Sequence, residues 1–156
     1  SGKISYFQYI TGQMLYSTVI LTIPSTMWSV FILKVLNVNL EISYSLFTFL
    51  LLLVGVLSSS FGMFISTIFK DRASASMGGS IVVMITCLLG GCLINIADSN
   101  KVIGFIRNIL PQKRLIDLSN NFNNTDLIFV IFSILVFGLI SVILGERQYK
   151  NGDFLV

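Results

Sequence analysis

Histidine is absent from this 156-residue chain, and charged side chains make up only 11% of it. Without an imidazole, neither a Ser-His-Asp nor a Cys-His catalytic site can form, and the familiar histidine-containing metal sites are excluded. The only two cysteines are Cys87 and Cys92. Cysteine in an apolar stretch usually behaves as a small hydrophobic residue, with a disulfide or thiol switch as the alternative. The composition therefore argues against most enzyme classes.

Charge is missing altogether from four long stretches, which are residues 4–33, 42–69, 73–97 and 127–145. A hydrocarbon core about 30 Å thick needs roughly 20 apolar residues in a helix, so each stretch can cross a bilayer or nearly so. Hydrophobic residues make up 54% of the chain and the mean hydropathy is +0.89, too apolar for a soluble domain of 17.3 kDa. The sequence predicts an integral membrane protein.

The predicted fold class is all-α, a polytopic bundle of transmembrane helices. Backbone in lipid must satisfy its own hydrogen bonds, and runs such as Leu50 to Val54 lack the alternation of barrel strands. Residues 1–13 mix aromatic and polar side chains and are predicted to be interfacial. Residues 98–125 combine charge with apolar residues at helical spacing, which predicts a short amphipathic helix that ends at Pro111 and lies in the interface or re-enters it. The four predicted transmembrane helices are 14–36, 43–69, 74–97 and 126–145.

Two spans carry regularly spaced small or polar residues. Thr18, Thr22 and Thr26 follow at intervals of one helical turn around Pro24, which should kink the first helix. They indicate either interhelical hydrogen bonding or the wall of a transport pathway. The second span holds Ser58, Gly62 and Ser66 at the same spacing, with Gly55 and Ser59 beside them. These small residues indicate either a packing seam or a substrate-facing groove.

The chemistry of coupled transport is also missing from the sequence. No Asp or Glu falls inside the four spans, which argues against ion coupling. Ser1-Gly2-Lys3 superficially resembles the end of a phosphate-binding loop, but Ile4 occupies the required Ser/Thr position. An active transporter of this composition would need energy from another subunit. That requirement favours a permease with a separate ATPase, and the chain itself is expected to bind no cofactor or metal.

The net charge of +3 comes from basic residues scattered between the spans, so we expect a lipid bilayer and no nucleic acid as partner. Orientation is not decided by charge, because each side of the membrane would carry five of the ten basic residues. The charges of the amphipathic segment can lie at the headgroups. We therefore predict that both ends of the chain are cytoplasmic.

The order of these features resembles the C-terminal part of an ABC-2 type permease, the membrane subunit of many bacterial ABC exporters. The resemblance covers nearly the whole chain as a pattern. Such permeases normally have six spans, of which this chain would supply the last four, so we expect a fragment. The resembling segments are Ile4 to Gln13 before the first span, Phe61 to Ser66 with Phe69 to Ala73 at the end of the second, Leu89-Gly90-Gly91 at the end of the third, and Asn108 to Pro111 before the last.

The resemblance implies a function and several roles. It implies an exporter permease in the bacterial cytoplasmic membrane, paired with a second permease subunit as a homo- or heterodimer and with an ABC ATPase that holds ATP and Mg²⁺. Its first segment would be a coupling helix that docks on the ATPase, through Tyr6, Phe7, Tyr9 and Gln13, with an aromatic belt at the headgroups as the alternative. A helix break and re-entrant turn would involve Gly90, Gly91 and Pro111, with simple helix packing as the alternative.

Two rival functions follow from the same residues. A non-transporting membrane scaffold or immunity protein would need no coupling helix. A membrane enzyme of lipid metabolism would need a carboxylate or metal cluster, and the available acids, Asp98, Asp117 and Asp126, form no recognisable motif. The transported substrate is not indicated by the sequence.

Overall fold

The computed structural model describes residues 5–39, 41–69, 71–92 and 100–151, and within them the chain is all-helical. Four of its helices are long and apolar enough to cross a membrane: α1, α2, α3 and α6. The predicted all-α class with four membrane-spanning helices is confirmed. The helices are α1 (Tyr6–Leu36), α2 (Tyr44–Ile68), α3 (Arg72–Gly90), α4 (Lys101–Ile109), α5 (Pro111–Asn120) and α6 (Asn124–Lys150).

Helix α1 begins where a capping box can form. The Ser5 hydroxyl accepts the backbone N–H of Gln8, and the Gln8 side chain accepts the backbone N–H of Ser5. The helix then continues through Pro24 to Leu36. The predicted interfacial segment 1–13 and the first predicted span 14–36 therefore share one continuous helix from Tyr6 onwards.

Helix α3 ends sooner than the predicted span 74–97. Gly91 follows it in the left-handed conformation, with φ 81°, and its N–H bonds to the carbonyls of Cys87 and Leu88. Glycine tolerates this conformation because it has no Cβ. Residues 93–99, including Asp98, lie outside the described part of the chain.

Helices α1 and α2 meet through small residues. The Thr18 Oγ1 and Ser59 Oγ atoms are 3.2 Å apart and share a hydrogen bond. One turn further along, a methyl group added to Gly55 would lie 2.5 Å from the Thr22 Oγ1, so these two residues pack in direct contact. Close approach at small residues is the usual way in which helices associate in lipid.

Of the residues in the predicted packing seam, Gly55 and Ser59 make the contact with α1, and the prediction is wrong within the described chain for Ser58, Gly62 and Ser66. All three residues are exposed, and no atom of another element lies within 4 Å of a methyl group placed on Gly62. The reason is that α2 carries two parallel series of small residues on adjacent faces. The series with Gly55 and Ser59 contacts α1, whereas the neighbouring series faces outwards.

The segment predicted as one amphipathic helix forms two short helices, α4 and α5. Pro111 occupies the first turn of α5, where its missing N–H costs no hydrogen bond, so it begins a helix as well as ending the previous one. Helix α5 is held by a small apolar core in which Leu118 and Val130 are completely buried and Leu50 is nearly so. This core joins α5 to α2 and α6.

Candidate functional site

The four residues predicted to couple to an ATPase lie on different sides of α1. Phe7 and Tyr9 are 61% and 51% exposed, and Gln13 is also exposed. Tyr6 is half-buried and lies one turn before Ile10, which is buried. Phe7 and Tyr9 are two positions apart and therefore project from roughly opposite sides of the helix; the exposed first turn that carries both is what we call the aromatic surface. Sequence reasoning had grouped Tyr6 with them because all are aromatic residues in the same segment.

Tyr6 packs against α6. Its ring centroid is 6.0 Å from that of Tyr149, and its hydroxyl occupies the space where a side chain on Gly145 would lie. Nearby, the Gln148 Nε2 donates a 2.6 Å hydrogen bond to the carbonyl of Thr67 at the end of α2. The start of α1 and the ends of α2 and α6 therefore meet at one end of the bundle, which we call the Tyr6 end.

The start of α3 follows the end of α2 closely. The Asp71 carboxylate caps α3 by accepting the Ser74 N–H and the Ser74 hydroxyl, each at 2.7 Å. The backbone hydrogen bond, and then the hydroxyl, hold the pKa of Asp71 below its usual value. A negative charge at the helix N-terminus also interacts favourably with the helix dipole. Asp71 thus stabilises the turn between α2 and α3 as a carboxylate.

The opposite end of the bundle is built from α4, α5 and the start of α6, and we call it the α5 end. Arg114 joins α5 to α6 through a 2.7 Å ion pair with Asp126. The same guanidinium lies 5.0 Å from the centre of the Phe129 ring. Lys113 pairs with Asp117 at 2.9 Å within α5. These contacts fix α5 across the end of the spanning helices.

Gly90 and Gly91 allow α3 to approach this end closely. A methyl group on Gly90 would lie 3.3 Å from the Gln112 Cβ, and one on Gly91 would lie 2.9 Å from the Arg107 Nη2. The two glycines thus make room for α5 and α4 respectively. Together with Pro111 they lie where the chain changes direction, and their role in a re-entrant turn stays a prediction.

Thr18 and Thr22 lie at the contact between α1 and α2 described above, and the Thr26 hydroxyl donates to the Thr22 carbonyl within α1. A role for the three threonines in a substrate pathway stays a prediction. The Thr22 Oγ1 is buried and has no hydrogen-bond partner among the described residues.

A groove of about 960 Å³ lies between α2, α3 and α5, on the face of α2 for which the sequence left a groove as the alternative to a packing seam. Helix α3 contacts α2 near the Tyr6 end, where Gly78 packs on the Phe69 ring, and contacts α5 through Gln112 at the other end. Between these points α2 and α3 diverge. The regularly spaced small residues on the outer face of α2 were the only sequence feature that indicated this groove, because Ser58 and Gly62 line it.

Among the described residues no three potential metal ligands are grouped. The family model for ABC-2 type transporters matches residues 1–122, which include α1 to α5. The chain belongs to the ABC-2 type transporter family. No curated protein sequence and no solved structure matches it.

Membership in this family, together with the four apolar helices, identifies a transporter permease component and a multi-pass membrane protein. The matched region, residues 1–122, includes the aromatic surface and ends after α5. Helix α6 lies beyond it and still completes the bundle, because it contacts α1 at the Tyr6 end and α5 at the other.

Proposed function

We propose that this ABC-2 permease component moves substrate outwards across the bacterial cytoplasmic membrane, using ATP hydrolysed by a separate ABC ATPase. The observation that carries the proposal is the exposed aromatic surface of Phe7 and Tyr9 at the start of a membrane-spanning helix. Exposed aromatic residues are frequent anchors of protein interfaces. In this proposal ATP and Mg²⁺ bind to the ATPase, and the permease works as a homo- or heterodimer.

The continuity of α1 supports a mechanical role for this surface. Because the helix runs from Tyr6 to Leu36, a displacement of the docked aromatic surface would move the membrane-spanning part of α1 as well. Helix α1 contacts α2 through the small residues Gly55 and Ser59, so no large side chain interlocks the two helices at these points. ATP binding would then favour one arrangement of α1 against α2 only if the ATPase binds that arrangement more tightly.

The Tyr6 end would be cytoplasmic under this proposal. The start of α1 and the end of α6 lie together there, which agrees with both ends of the chain facing one side. Among the described residues, three basic side chains are exposed at this end, Arg72, Arg147 and Lys150. Two are exposed at the other end, Lys34 and Lys101, so the excess in the direction of the positive-inside tendency is one. At the α5 end, Lys113 and Arg114 are engaged in ion pairs and are less informative about orientation.

The test is co-purification of the ATPase in mild detergent, with identification by mass spectrometry. We expect an ABC ATPase with the unmodified permease and its loss from a Phe7→Ala, Tyr9→Ala variant. Phe105→Ala is the matched control, because Phe105 is 69% exposed on α4 at the α5 end. Tyr6→Ala is less suitable, since Tyr6 also packs on α6.

Two results would contradict the proposal. The first is the absence of any ATPase under conditions that preserve a known ABC complex, which would favour a membrane scaffold or immunity protein. The second is equal loss of the ATPase in the Phe105→Ala control, which would show a general effect of removing exposed aromatic residues.

A further inference from the structure

We propose that Cys87 and Cys92 form an intrachain disulfide that closes the last turn of α3 at the α5 end. The bond forms by exchange with a disulfide oxidant, such as a protein disulfide or oxidised glutathione. The pairing follows from the geometry of the helix end and does not depend on an ATPase. Its formation in the cell rests on the proposed function, because that proposal places the α5 end outside the cytoplasm, where disulfides form and persist.

The chain turns sharply where α3 ends, and the turn brings the two cysteines together. Gly91 has φ 81°, and its N–H bonds to the Leu88 carbonyl at 3.2 Å. The Cys92 N–H bonds to the Cys87 carbonyl at 3.0 Å. This pair of backbone bonds is the Schellman motif, in which the side chains of the two residues joined by the longer-range bond frequently contact each other. In this chain both of those residues are cysteines.

The backbone distance between the two cysteines suits a disulfide. A carbonyl oxygen and an amide nitrogen lie close to their own Cα atoms, so the 3.0 Å hydrogen bond keeps the two Cα atoms at most about 7 Å apart. The usual range across a disulfide is about 4.4–6.8 Å. The chain contains no other cysteine, so each thiol has only one possible partner within the chain.

The two thiols also lie on the same side of the turn. Both line the groove between α2, α3 and α5. Burial raises the pKa of the Cys92 thiol, and the charge of the neighbouring Cys87 thiol and a hydrogen bond with it raise that pKa further. Two sulfur atoms close enough to share a hydrogen bond need only a small change of side-chain torsion to reach bonding distance.

The disulfide would stabilise a helix end that its glycines weaken. Gly90 and Gly91 lie between the two cysteines, and glycine loses more conformational freedom on folding than any other residue. A methyl group on Gly90 would lie 3.3 Å from the Gln112 Cβ and 4.0 Å from the Cys92 Sγ, so the turn that carries the thiols also contacts α5. Closing the bond restricts the unfolded turn and thereby favours this contact.

The exchange proceeds in two steps. Cys92 is the more exposed cysteine, and its thiolate attacks one sulfur of the oxidant's disulfide, which releases the other sulfur as a thiolate. The Cys87 thiolate then attacks the Cys92 Sγ and releases the second sulfur of the oxidant. The two cysteine thiols have lost two protons and two electrons, and the oxidant's disulfide has become two thiols.

The raised pKa of Cys92 indicates the kind of disulfide. Little of this thiol is ionised at neutral pH, so the first attack should be slow and should accelerate as the pH rises. Cysteines that sense peroxide have lowered pKa values and react fast. The pair is therefore suited to a structural bond that forms once, and not to rapid sensing.

The test equilibrates the full chain in nanodiscs with mixtures of reduced and oxidised glutathione at mildly alkaline pH. Free thiols are then blocked with iodoacetamide under denaturing conditions, and the intact mass is measured. We expect a chain that carries no blocking group and is lighter by the mass of two hydrogen atoms, with no linked dimer on a non-reducing gel. Cys87→Ser should instead stop at the mixed disulfide of Cys92 with glutathione.

A relocated pair separates the geometry of the turn from closeness in sequence. In the Cys87→Ser, Leu88→Cys variant the two cysteines are one residue nearer, so a flexible chain would join them at least as readily. On α3, however, residue 88 is rotated by about 100° from residue 87. The equilibrium constant for the disulfide of the relocated pair should therefore be at least about tenfold lower.

Two results in nanodiscs would overturn the inference. The first is a native chain that keeps free thiols or mixed disulfides under conditions in which Cys87→Ser is fully modified by glutathione. The second is equal oxidation of the native and relocated pairs, which would mean that the end of α3 does not hold the cysteines in the described turn.

A measurement in cells separates this inference from the proposed orientation. Cells are quenched with acid and their free thiols blocked, and we expect the native pair to be oxidised. Orientation is measured with Lys101→Cys in a chain that also carries Cys87→Ser and Cys92→Ser, since Lys101 is exposed at the α5 end. A membrane-impermeant maleimide should label it in intact cells. Labelling together with a reduced native pair would overturn the disulfide and leave the orientation standing, whereas an oxidised pair without labelling would do the reverse.

Discussion

The ring of Tyr6, in the first turn of α1, occupies the space that a side chain on Gly145 of α6 would need. These two residues lie far apart in the sequence and bring the start of the first helix against the end of the last. The contact explains why Tyr6 is half-buried while its neighbours Phe7 and Tyr9 are exposed. It also distinguishes a residue that holds the bundle together from two whose side chains stay exposed.

Gly145→Ala should destabilise the bundle by about 1–3 kcal/mol, because the added methyl group would displace the Tyr6 ring from α6. Unfolding in mixed detergent micelles, followed by circular dichroism, measures the change. Gly138→Ala in the same helix is the control, since it meets no neighbour and should be neutral or slightly stabilising. Equal effects of the two substitutions would show that helix propensity, and not the Tyr6 contact, matters at Gly145.

Gly55→Ala should push α1 away from α2, because the new methyl group would lie 2.5 Å from the Thr22 Oγ1. We expect a loss of about 1–3 kcal/mol in the same unfolding measurement. Combining it with Thr22→Ala, which removes the opposing hydroxyl and methyl groups, should recover much of the loss. Simple addition of the two single effects would contradict a direct contact between these residues.

Arg114→Met should weaken the attachment of α5 to α6, because it leaves the nearly buried Asp126 carboxylate without its ion pair. The expected cost is about 1.5–3 kcal/mol, the range for hydrogen bonds to charged groups. Asp126→Asn, alone and combined with Arg114→Met, completes a double-mutant cycle in the unfolding assay. A coupling energy near zero would mean that the contacts of Leu118 and Val130 hold α5 without help from the ion pair.

The cap of α3 should depend on pH through Asp71. Its pKa is lowered in the folded chain, so its stabilising effect is complete at neutral pH and is lost as the pH falls through that lowered pKa. The Ser74 amide resonance, followed by NMR in detergent, should titrate with the same lowered midpoint. Asn at this position also caps helices but has no titrating carboxyl group, so the Asp71→Asn variant should show no such transition. A normal carboxyl midpoint at Ser74 would contradict the assigned hydrogen bonds.

The sequence by itself determined the class of this protein. Four stretches without charge predict four spanning helices, because a backbone in lipid has no water with which to satisfy its hydrogen bonds. The structure has helices in all four places. The order of aromatic, glycine and proline signals resembled an ABC-2 permease, and the family match over residues 1–122 agrees. These signals are local and can be read without knowing what each helix contacts.

Only the tertiary structure decided which face of each helix meets another helix. Lipid tails are as apolar as leucine side chains, so hydrophobicity does not distinguish a lipid-facing surface from a helix-facing one. The two adjacent series of small residues on α2 therefore looked equivalent in the sequence, yet Gly55 packs on α1 while Gly62 lines the groove. For the same reason Tyr6 could not be separated from Phe7 until α6 was in place beside it.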